Sequence, residues 1–204
     1  MTETPTLLVA THNEGKVREI RGLIEGLPLG VRWLSEFGDI TEAEETGATF
    51  VENAVLKARH YSSLSGLLTL SDDSGLEVEA LGGAPGVHSA RYGGRDLPYP
   101  EKMARLLAEL AATNTEDRRA RFKCVIALAD PSSGEVNTFD GVCEGRLARA
   151  PRGSGGFGYD PVFVPEGHTQ TFGELPPEVK QHLSHRARAL AKMSTFLRER
   201  FSDI

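Results

Sequence analysis

The chain has 204 residues, of which 39% are hydrophobic and 25% are charged, and its net charge is −6. This length suits one domain with two lobes, and the acidic balance argues against sequence-independent binding to nucleic acid, which requires a basic surface. A small anionic ligand is still compatible with a locally basic or metal-containing pocket. Apolar runs are too short for a membrane span, and Cys124 and Cys143 lack metal-ligand spacing, so we expect a cytoplasmic protein with buried thiols.

Apolar periodicity predicts strands that alternate with helices early in the chain and a β-hairpin later on. The predicted strands cover residues 6–10, 31–34, 67–70, 122–129, 135–143 and 162–164. The predicted helices cover residues 16–27, 49–63, 100–112, 176–181 and 184–201. This order indicates an α/β protein with a mixed sheet, and we treat residues 1–204 as a single domain because no linker or repeat interrupts them.

Two adjacent acidic residues follow the third predicted strand. The sequence Ser71-Asp72-Asp73-Ser74-Gly75 is typical of a tight turn, and open α/β sheets bind ligands at the carboxyl ends of their strands. Adjacent carboxylates repel each other unless a cation or a shared proton relieves the repulsion, so we predict a divalent metal site at this turn. A solvated, Asp-rich turn is the alternative interpretation.

An acidic segment and the helix after it are candidates for the same site. Glu42, Glu44 and Glu45 lie in an irregular stretch, and one of them beside the paired aspartates would complete an oxygen-ligand site suited to Mg²⁺. Asn53 and Lys57 are four residues apart in the next helix and therefore share a face, from which Lys57 could contact a phosphate. The alternatives are a solvated acidic surface and a surface lysine.

The strand-to-helix connection at residues 11–16 has the composition of a phosphate-binding loop. The first turn of a helix offers unpaired N–H groups and a positive dipole end, Gly15 allows a close approach, and Lys16 adds a charge. The segment is not a Walker A loop, which requires an earlier glycine and a Ser or Thr after the lysine. A simple helix-capping turn is the alternative.

Two later segments could bind a purine base. Residues 154–161 place Phe157 and Tyr159 among glycines, which let a backbone approach a flat ligand on which an aromatic ring can stack. Lys180 and the pair His185-Arg186 are donors that could reach the O6 and N7 acceptors of a 6-keto purine and would reject adenine. The alternatives are a flexible loop and a capped helix with two surface charges.

Taken together, these segments make the chain resemble the inosine/xanthosine triphosphate pyrophosphatases, which hydrolyse deaminated purine nucleoside triphosphates. The similarity rests on motifs that span nearly the whole chain in the family's order: ATHNEGKVREI, EETGATFVENAVLKAR, LSDDSGLEVEALGGAPGVHSARYGG, GGFGYDPVF and LSHRARAL. One departure is Thr11-His12-Asn13, where many members have Ser/Thr-Gly-Asn. The resemblance implies a long mixed β-sheet flanked by helices, with two lobes around a central substrate cleft, and a homodimer.

The resemblance also implies a role for each matching residue. Asp73 would be the general base and, with Glu44, a ligand of Mg²⁺, while Ser74 would contact the substrate. The triphosphate would be held by Thr11, His12, Asn13, Glu14, Gly15 and Lys16. The base and sugar would be bound by Phe157, Gly158, Tyr159, Asp160, Lys180, His185 and Arg186. Further candidates are Asn53, Lys57, Arg91 and Asp72, the last of which is expected to orient the ligands of the metal.

The implied reaction is Mg²⁺-dependent hydrolysis of ITP, dITP or XTP to the nucleoside monophosphate and pyrophosphate, with no nucleic-acid or membrane partner. Donors to O6 and N7 cannot reject GTP, since guanine shares both acceptors, so GTP must be excluded near position 2 of the base. The alternative functions are a pyrophosphatase for other modified nucleotides and a nucleotide-binding regulator that does not hydrolyse its ligand. A regulator would be expected to lack the base or the metal carboxylates, whereas Asp73 and Glu44 are both present.

Overall fold

The computed structural model describes residues 5–27, 29–38 and 40–201. Its strands are β1 (Thr6–Val9), β2 (Gly30–Trp33), β3 (Leu68–Val78), β4 (Arg119–Ala129), β5 (Val136–Leu147) and β6 (Phe163–Pro165). Its α-helices are α1 (Glu14–Leu23), α2 (Phe50–Ser65), α3 (Tyr99–Ala112), α4 (Pro177–Leu183) and α5 (His185–Arg200). No helix within the described ranges has both the length and the apolar character that crossing a bilayer requires.

The described strands form a six-stranded mixed sheet in the order β2-β1-β3-β4-β5-β6. Strand β1 runs parallel to both β2 and β3, whereas β5 and β6 are antiparallel. Strands β4 and β5 are neighbours joined by a short turn, in which the N–H of Gly134 donates to the carbonyl of Asp130. The predicted α/β class, the mixed sheet and the hairpin are therefore confirmed.

The chain folds into two compact units. The first comprises the residues up to Asp73, Cys124–Gly141 and the residues from Arg186 onward. The second comprises Ser74–Lys123 and Val142–His185. That residues 1–204 act as a single catalytic domain stays a prediction.

The first unit has two apolar cores, because successive side chains of a strand point in opposite directions. Leu7 of β1 lies in one core with Ile20 of α1 and Leu190 of α5. Leu8 lies in the other core with Tyr61 of α2. Helices α1 and α5 therefore share one face of the sheet and α2 takes the other, so residues of β3 meet a different set of helices on each face.

The core of the second unit is built around α3. This helix keeps apolar residues at helical spacing, and Met103, Leu106 and Leu110 are buried in one cluster with Leu76 and Val78 of β3. The buried stripe predicted for this helix is therefore confirmed.

Strand β3 continues past residue 70, so the tight turn predicted at residues 71–75 is wrong. The strand extends to Val78 because Leu76 and Val78 are fully buried in the core of the second unit. The N–H of Leu76 also donates to Ser89 Oγ at 2.9 Å. Tertiary packing overrides the local preference of Asp, Ser and Gly for turns, and the paired acids consequently lie inside a strand.

Helix α1 begins at Glu14 rather than at residue 16, because Asn13 caps it. The side-chain oxygen of Asn13 accepts a hydrogen bond from the N–H of Lys16 at 3.1 Å. The helix also ends earlier than predicted, at Leu23, and the chain then turns at Gly26, whose φ of +77° suits glycine. The predicted phosphate loop is therefore half loop and half first helical turn.

Candidate active site

Asp72 and Asp73 of β3 face opposite sides of the sheet. Neighbouring residues of a strand alternate in direction, and the contacts follow this alternation. Asp72 pairs with Lys16 of α1 and Arg186 of α5, whereas Asp73 pairs with Lys57 of α2. Because each carboxylate has its own cationic partners, repulsion between them no longer argues for a metal, and such a site needs support from another observation.

Asp72 lies at the centre of a buried ion network. Its Oδ2 accepts a hydrogen bond from Arg186 Nε at 2.7 Å, and its Oδ1 lies 2.5 Å from Lys16 Nζ. The thiol of Cys124 donates to Oδ2 at 3.2 Å, and Arg186 also pairs with Glu19. Burial alone would raise the pKa of Asp72, but the charges of Arg186 and Lys16 hold it well below its usual range. Asp72 is therefore an anion that fixes both cations in place.

Only one carboxylate oxygen of Asp73 has a hydrogen-bond partner among the described residues. Its Oδ1 accepts a hydrogen bond from Lys57 Nζ at 2.7 Å, whereas its buried Oδ2 has no hydrogen-bond partner among the described residues. Burial raises the pKa of Asp73, the charges of Lys57 and Lys16 oppose this rise, and the charge of Glu45 adds to it. A carboxylate with a raised pKa and an unsatisfied oxygen is suited to accept a proton or to bind a cation.

Lys57 is buried, so the surface-lysine alternative is wrong. Its ammonium donates to Glu45 Oε1 at 2.7 Å, to Asp73 Oδ1 at 2.7 Å and to the carbonyl of Asp72 at 2.9 Å. Burial would lower the pKa of Lys57, but the charges of Asp73 and Glu45 raise it above its usual value. An ammonium has three N–H donors, and all three are used here. Lys57 therefore orients Asp73, and its phosphate contact stays a prediction.

The loop before α1 keeps most of its polar groups accessible. His12, Asn13 and Glu14 are exposed, and Gly15 is buried in the first turn of the helix. Thr11 Oγ1 accepts a hydrogen bond from the N–H of Asn13 at 3.2 Å, which helps to fix the loop. The positive end of α1 lies beside this loop and suits an anion. The triphosphate role of residues 11–16 stays a prediction.

The structure places Glu45 beside Lys57. Glu45 contacts the Lys57 ammonium and its charge contributes to the raised pKa of Asp73, although Glu44 and Glu45 are both exposed. Consecutive residues of an extended segment point in opposite directions, so only one of the two can face α2. That Glu44 is the second carboxylate of the metal site stays a prediction.

These residues fit an oxygen-liganded divalent cation. The buried Oδ2 of Asp73 is unsatisfied among the described residues, and the carboxylate of Glu45 approaches the same lysine as Asp73 does. Cations such as Mg²⁺ take one or two protein carboxylates and complete their shell with phosphate and water oxygens. Across the described ranges, no cluster of three or more His, Cys, Asp or Glu side chains forms a metal site by itself.

A second group of candidate residues lies within the second unit, around Asp160. The carboxylate of Asp160 accepts a hydrogen bond from the N–H of Phe157 at 2.7 Å and pairs with Lys180. The ammonium of Lys180 lies 4.6 Å from the ring centroid of Phe157, within cation–π range. Gly156 approaches the Asp160 carboxylate so closely that a Cβ there would overlap it. Specific contacts therefore hold this glycine-rich loop and orient Phe157.

His185 and Arg186 have different surroundings although they are neighbours in the chain. The ring of His185 stacks on Phe122 with a centroid separation of 4.8 Å and an interplanar angle of 13°. The guanidinium of Arg186 is buried against Asp72 and Glu19. Both residues are buried, so the alternative of two surface charges is wrong. A purine-donor role stays a prediction for both, and in Arg186 it would compete with two carboxylates.

The other predicted site residues of the second unit have less direct support. The buried hydroxyl of Tyr159 donates to the carbonyl of Ser89 at 3.0 Å, which is a structural contact. Gly158 packs near a tyrosine ring, and Ser74 and Arg91 are half-buried. Their substrate contacts stay predictions.

Glu19 takes part in the ion network although the sequence motifs did not single it out. It lies three residues after Lys16 on α1, so the two share a helical face. An acidic residue at that spacing from a candidate phosphate-binding lysine is the signal that could have identified it.

Known proteins match this chain over nearly its full length. Residues 7–196 match the Ham1 family. A dITP/XTP pyrophosphatase from Geobacter sulfurreducens is 48% identical over 191 residues, which cover 94% of this chain and 96% of that protein. The structure of a HAM1 protein from Coxiella burnetii has a TM-score of 0.88 at 43% identity and covers 96% of this chain and 99% of that one. The Ham1 protein of Staphylococcus aureus gives a TM-score of 0.86 at 37% identity, with 96% and 99% covered.

Proposed function

The chain belongs to the Ham1 family, and we propose that it hydrolyses deaminated purine nucleoside triphosphates such as dITP, XTP and ITP to the nucleoside monophosphate and pyrophosphate. The name carried by its 48%-identical relative, dITP/XTP pyrophosphatase, supports this substrate class. The observation that carries the proposal is the state of Asp73. Its buried Oδ2 is unsatisfied among the described residues, and its pKa is raised, so it can serve as a base.

In the proposed reaction Asp73 accepts a proton from the water that attacks the α-phosphorus. The bond between this phosphorus and the oxygen that bridges to the β-phosphate breaks, and pyrophosphate leaves with that oxygen. Lys57 holds the other oxygen of Asp73 by a hydrogen bond of 2.7 Å, which orients the carboxylate. A base with a raised pKa takes the proton more readily than an ordinary aspartate does.

Lys16 and the N-terminus of α1 are proposed to bind the triphosphate. The ammonium of Lys16 contacts the carboxylate of Asp72 at 2.5 Å and its carbonyl at 3.2 Å. Among the described residues, Asp72 thus uses two of the ammonium's three donors, and the third is proposed to donate to a phosphate oxygen. The charge of Lys16 and the N–H groups of the helix stabilise the developing charge on pyrophosphate, because they are already oriented before the reaction.

We propose Mg²⁺ as the cation, held by Asp73 and Glu44 together with phosphate oxygens of the nucleotide. When bound, Mg²⁺ supplies neutralisation of phosphate charge at the reacting end of the nucleotide. The support is the chemistry of the donor set, which consists of carboxylate oxygens and suits a hard cation.

Purine recognition is proposed for the residues around Asp160 together with His185. Phe157 offers a ring on which a base can stack, and Lys180 and His185 offer donors to the O6 and N7 acceptors of a 6-keto purine. Adenine presents an amino donor at position 6 and would be rejected. We also propose that the protein is a cytoplasmic homodimer, as the family resemblance implies, and light scattering on the purified protein would test the dimer.

The experiment that tests this proposal measures the rate of pyrophosphate release. It compares dITP, XTP and ITP with GTP, ATP and the pyrimidine triphosphates, each with Mg²⁺ and with EDTA. We expect a preference of at least ~100-fold for the deaminated purines, which hydrogen-bond mismatch can supply, and loss of activity with EDTA. Equal turnover of GTP would contradict the specificity. Preference for a modified pyrimidine or guanine nucleotide would favour the first alternative, and tight binding without pyrophosphate release would favour a regulator.

A further inference from the structure

Two polar residues, Asn53 and Lys57, belong to the buried stripe of α2. They lie one turn apart on the same helical face. The ammonium of Lys57 uses all three of its donors, on Glu45, Asp73 and the carbonyl of Asp72. The amide of Asn53, by contrast, uses only half of its hydrogen-bonding capacity among the described residues.

The oxygen of the Asn53 amide has a partner, and the nitrogen has none among the described residues. Asn53 Oδ1 accepts a hydrogen bond from the N–H of Gly47 at 2.8 Å. This contact fixes the orientation of the amide, because an N–H donor requires the oxygen and not the nitrogen. The side chain is fully buried, and Nδ2 meets no acceptor in the described part of the chain. Such donors are rare in folded proteins, and an ordered water is one of the groups that satisfy them.

Two hydroxyl contacts define how α2 packs on β3. Ser62 Oγ donates to the carbonyl of Leu67 at 3.1 Å, just before the strand, and Ser71 Oγ donates to the carbonyl of Ala54 at 2.5 Å. Helix and strand are therefore antiparallel. Four residues along the strand cover about 13 Å, which matches the rise of about 12 Å over eight residues of the helix.

This register places Asn53 beside Asp73. Asp73 lies two residues beyond Ser71 on the same face of the strand, and is therefore level with the first turn of α2, which contains Asn53. The longer side chain of Lys57 reaches Asp73 Oδ1 from one turn further along the helix, at 2.7 Å. Asn53 Nδ2 and Asp73 Oδ2 thus lie in the same part of the helix–strand interface, and neither has a partner among the described residues.

We propose that Asn53 is a positioning residue that holds the attacking water against Asp73. The water donates one hydrogen to Asp73 Oδ2, which takes that proton during the attack, and one of its lone pairs accepts a hydrogen bond from Asn53 Nδ2. Its other lone pair forms the bond to the α-phosphorus. A carboxylate oxygen has two lone pairs, so Oδ2 can bind this water and a cation together. The inference rests on the proposed function, because it takes Asp73 as the base of that reaction.

The first experiment uses two substitutions that separate the two halves of the amide. Asn53→Asp keeps an acceptor for the N–H of Gly47 and removes the donor, whereas Asn53→Leu is similar in size and removes both. We expect each variant to lower kcat for pyrophosphate release from dITP by about 10- to 100-fold, because a misplaced nucleophile slows a reaction to that extent. The affinity of Asn53→Leu for a non-hydrolysable dITP analogue, measured by calorimetry, should change by less than about threefold, since no nucleotide contact is lost.

The charge that Asn53→Asp adds requires its own control. A second carboxylate near Asp73 raises the pKa of Asp73, so kcat is compared on the pH plateau where both carboxylates are ionised. Asn114→Asp makes the same chemical change at an exposed position in the second unit and should keep the wild-type kcat. Thermal unfolding of every variant separates a loss of folded protein from a loss of turnover.

Two kinetic outcomes would overturn the proposal. A plateau kcat of Asn53→Asp within about threefold of the wild type would show that only the contact with Gly47 matters. An effect of Asn53→Leu on KM alone would assign the residue to nucleotide binding instead.

The second experiment looks for the water without turnover. A high-resolution crystal structure of the wild type should show one water within about 3.2 Å of both Asn53 Nδ2 and Asp73 Oδ2, and the Asn53→Leu structure should lack it or show it displaced. Wild-type crystals in which these two atoms bond to each other, or to different groups, would refute the positioning role. A water held in this place in a wild-type protein that releases no pyrophosphate from dITP would refute the proposed function and leave the contact of Asn53 with the water intact.

Discussion

Lys16 and Lys57 donate to the same atom, the carbonyl oxygen of Asp72, at 3.2 Å and 2.9 Å. The two ammonium groups come from helices on opposite faces of the sheet, and each also pairs with the carboxylate on its own face, Lys16 with Asp72 and Lys57 with Asp73. Like charges this close repel each other strongly in a buried setting unless anions balance them. Removing Asp72 therefore leaves Lys16 without its carboxylate, whereas removing Asp73 leaves Lys57 balanced by Glu45 alone.

Replacing Asp73 with Asn should lower kcat for pyrophosphate release from dITP by at least ~100-fold, because the amide cannot accept the proton of the attacking water. Binding of a non-hydrolysable dITP analogue, measured by calorimetry, should change by only a few-fold. Asp140→Asn makes the same chemical change at an exposed carboxylate that pairs with Lys192 and is the matched control. Near-normal turnover by the Asp73 variant would refute its assignment as the base.

The acid limb of the pH–rate profile should move to higher pH in Lys57→Gln. Asp73 works as a base only when deprotonated, so activity rises as the pH passes its pKa. Burial already raises that pKa, and the charge of Lys57 opposes the rise, so loss of the charge raises the pKa further. The measurement is kcat/KM for dITP across the acid range, with Lys192→Gln as the control. An acid limb that stays in place or moves to lower pH would contradict this electrostatic coupling.

Asp72→Asn should lower the free energy of unfolding by about 3–5 kcal/mol, because it leaves the buried guanidinium of Arg186 without its main counter-charge. The pKa of Asp72 is lowered in the folded state. Its contribution is therefore present above its unfolded pKa and is lost as the pH falls through its folded pKa. Urea unfolding at neutral and acidic pH should show the gap between wild type and variant narrowing on acidification. A difference in unfolding free energy that does not change with pH would show that the ionised carboxylate of Asp72 is not the source of the stability.

Gly156→Ala should raise KM for dITP several-fold with a smaller effect on kcat. The added methyl would overlap the carboxylate of Asp160, which holds both the N–H of Phe157 and the ammonium of Lys180. Gly134→Ala is the matched control, because its φ of +74° is close to the +70° of Gly156 but no atom lies within 4 Å of its added methyl. Both variants carry the backbone cost of placing an alanine at a positive φ. Equal KM values for the two variants would show that Asp160 does not contribute to nucleotide binding.

The sequence predicted most of the fold because apolar periodicity reports burial directly. Met103, Leu106 and Leu110 show this, since their helical spacing matches their place in the core. The turn predicted at residues 71–75 failed because Asp, Ser and Gly favour turns locally. The partners that stabilise these acids inside a strand, Arg186 above all, come from elements far along the chain.

The sequence could not show which of Glu44 and Glu45 faces Lys57, for a related reason. Which of two adjacent residues in an extended segment faces a helix depends on where that segment is anchored, and the anchors here are Tyr61 and Asn53. Motif spacing identifies the residue types at a site, whereas their orientation requires tertiary contacts. The same limit applies to Arg186, because only the structure shows its guanidinium against the carboxylates of Asp72 and Glu19, and its purine contact stays a prediction.

Cys124 lies against Asp72, and its thiol donates to the carboxylate in a fully enclosed position. Burial, and after it the charge of Asp72, raises the pKa of this thiol well above its usual value. Alkylating reagents attack thiolates, so iodoacetamide should modify the folded protein very slowly. Each labelling event at Cys124 would record a moment when the strands around Asp72 had separated. The rate at which Cys124 is labelled would therefore measure how often the ion network around Asp72 becomes exposed to water.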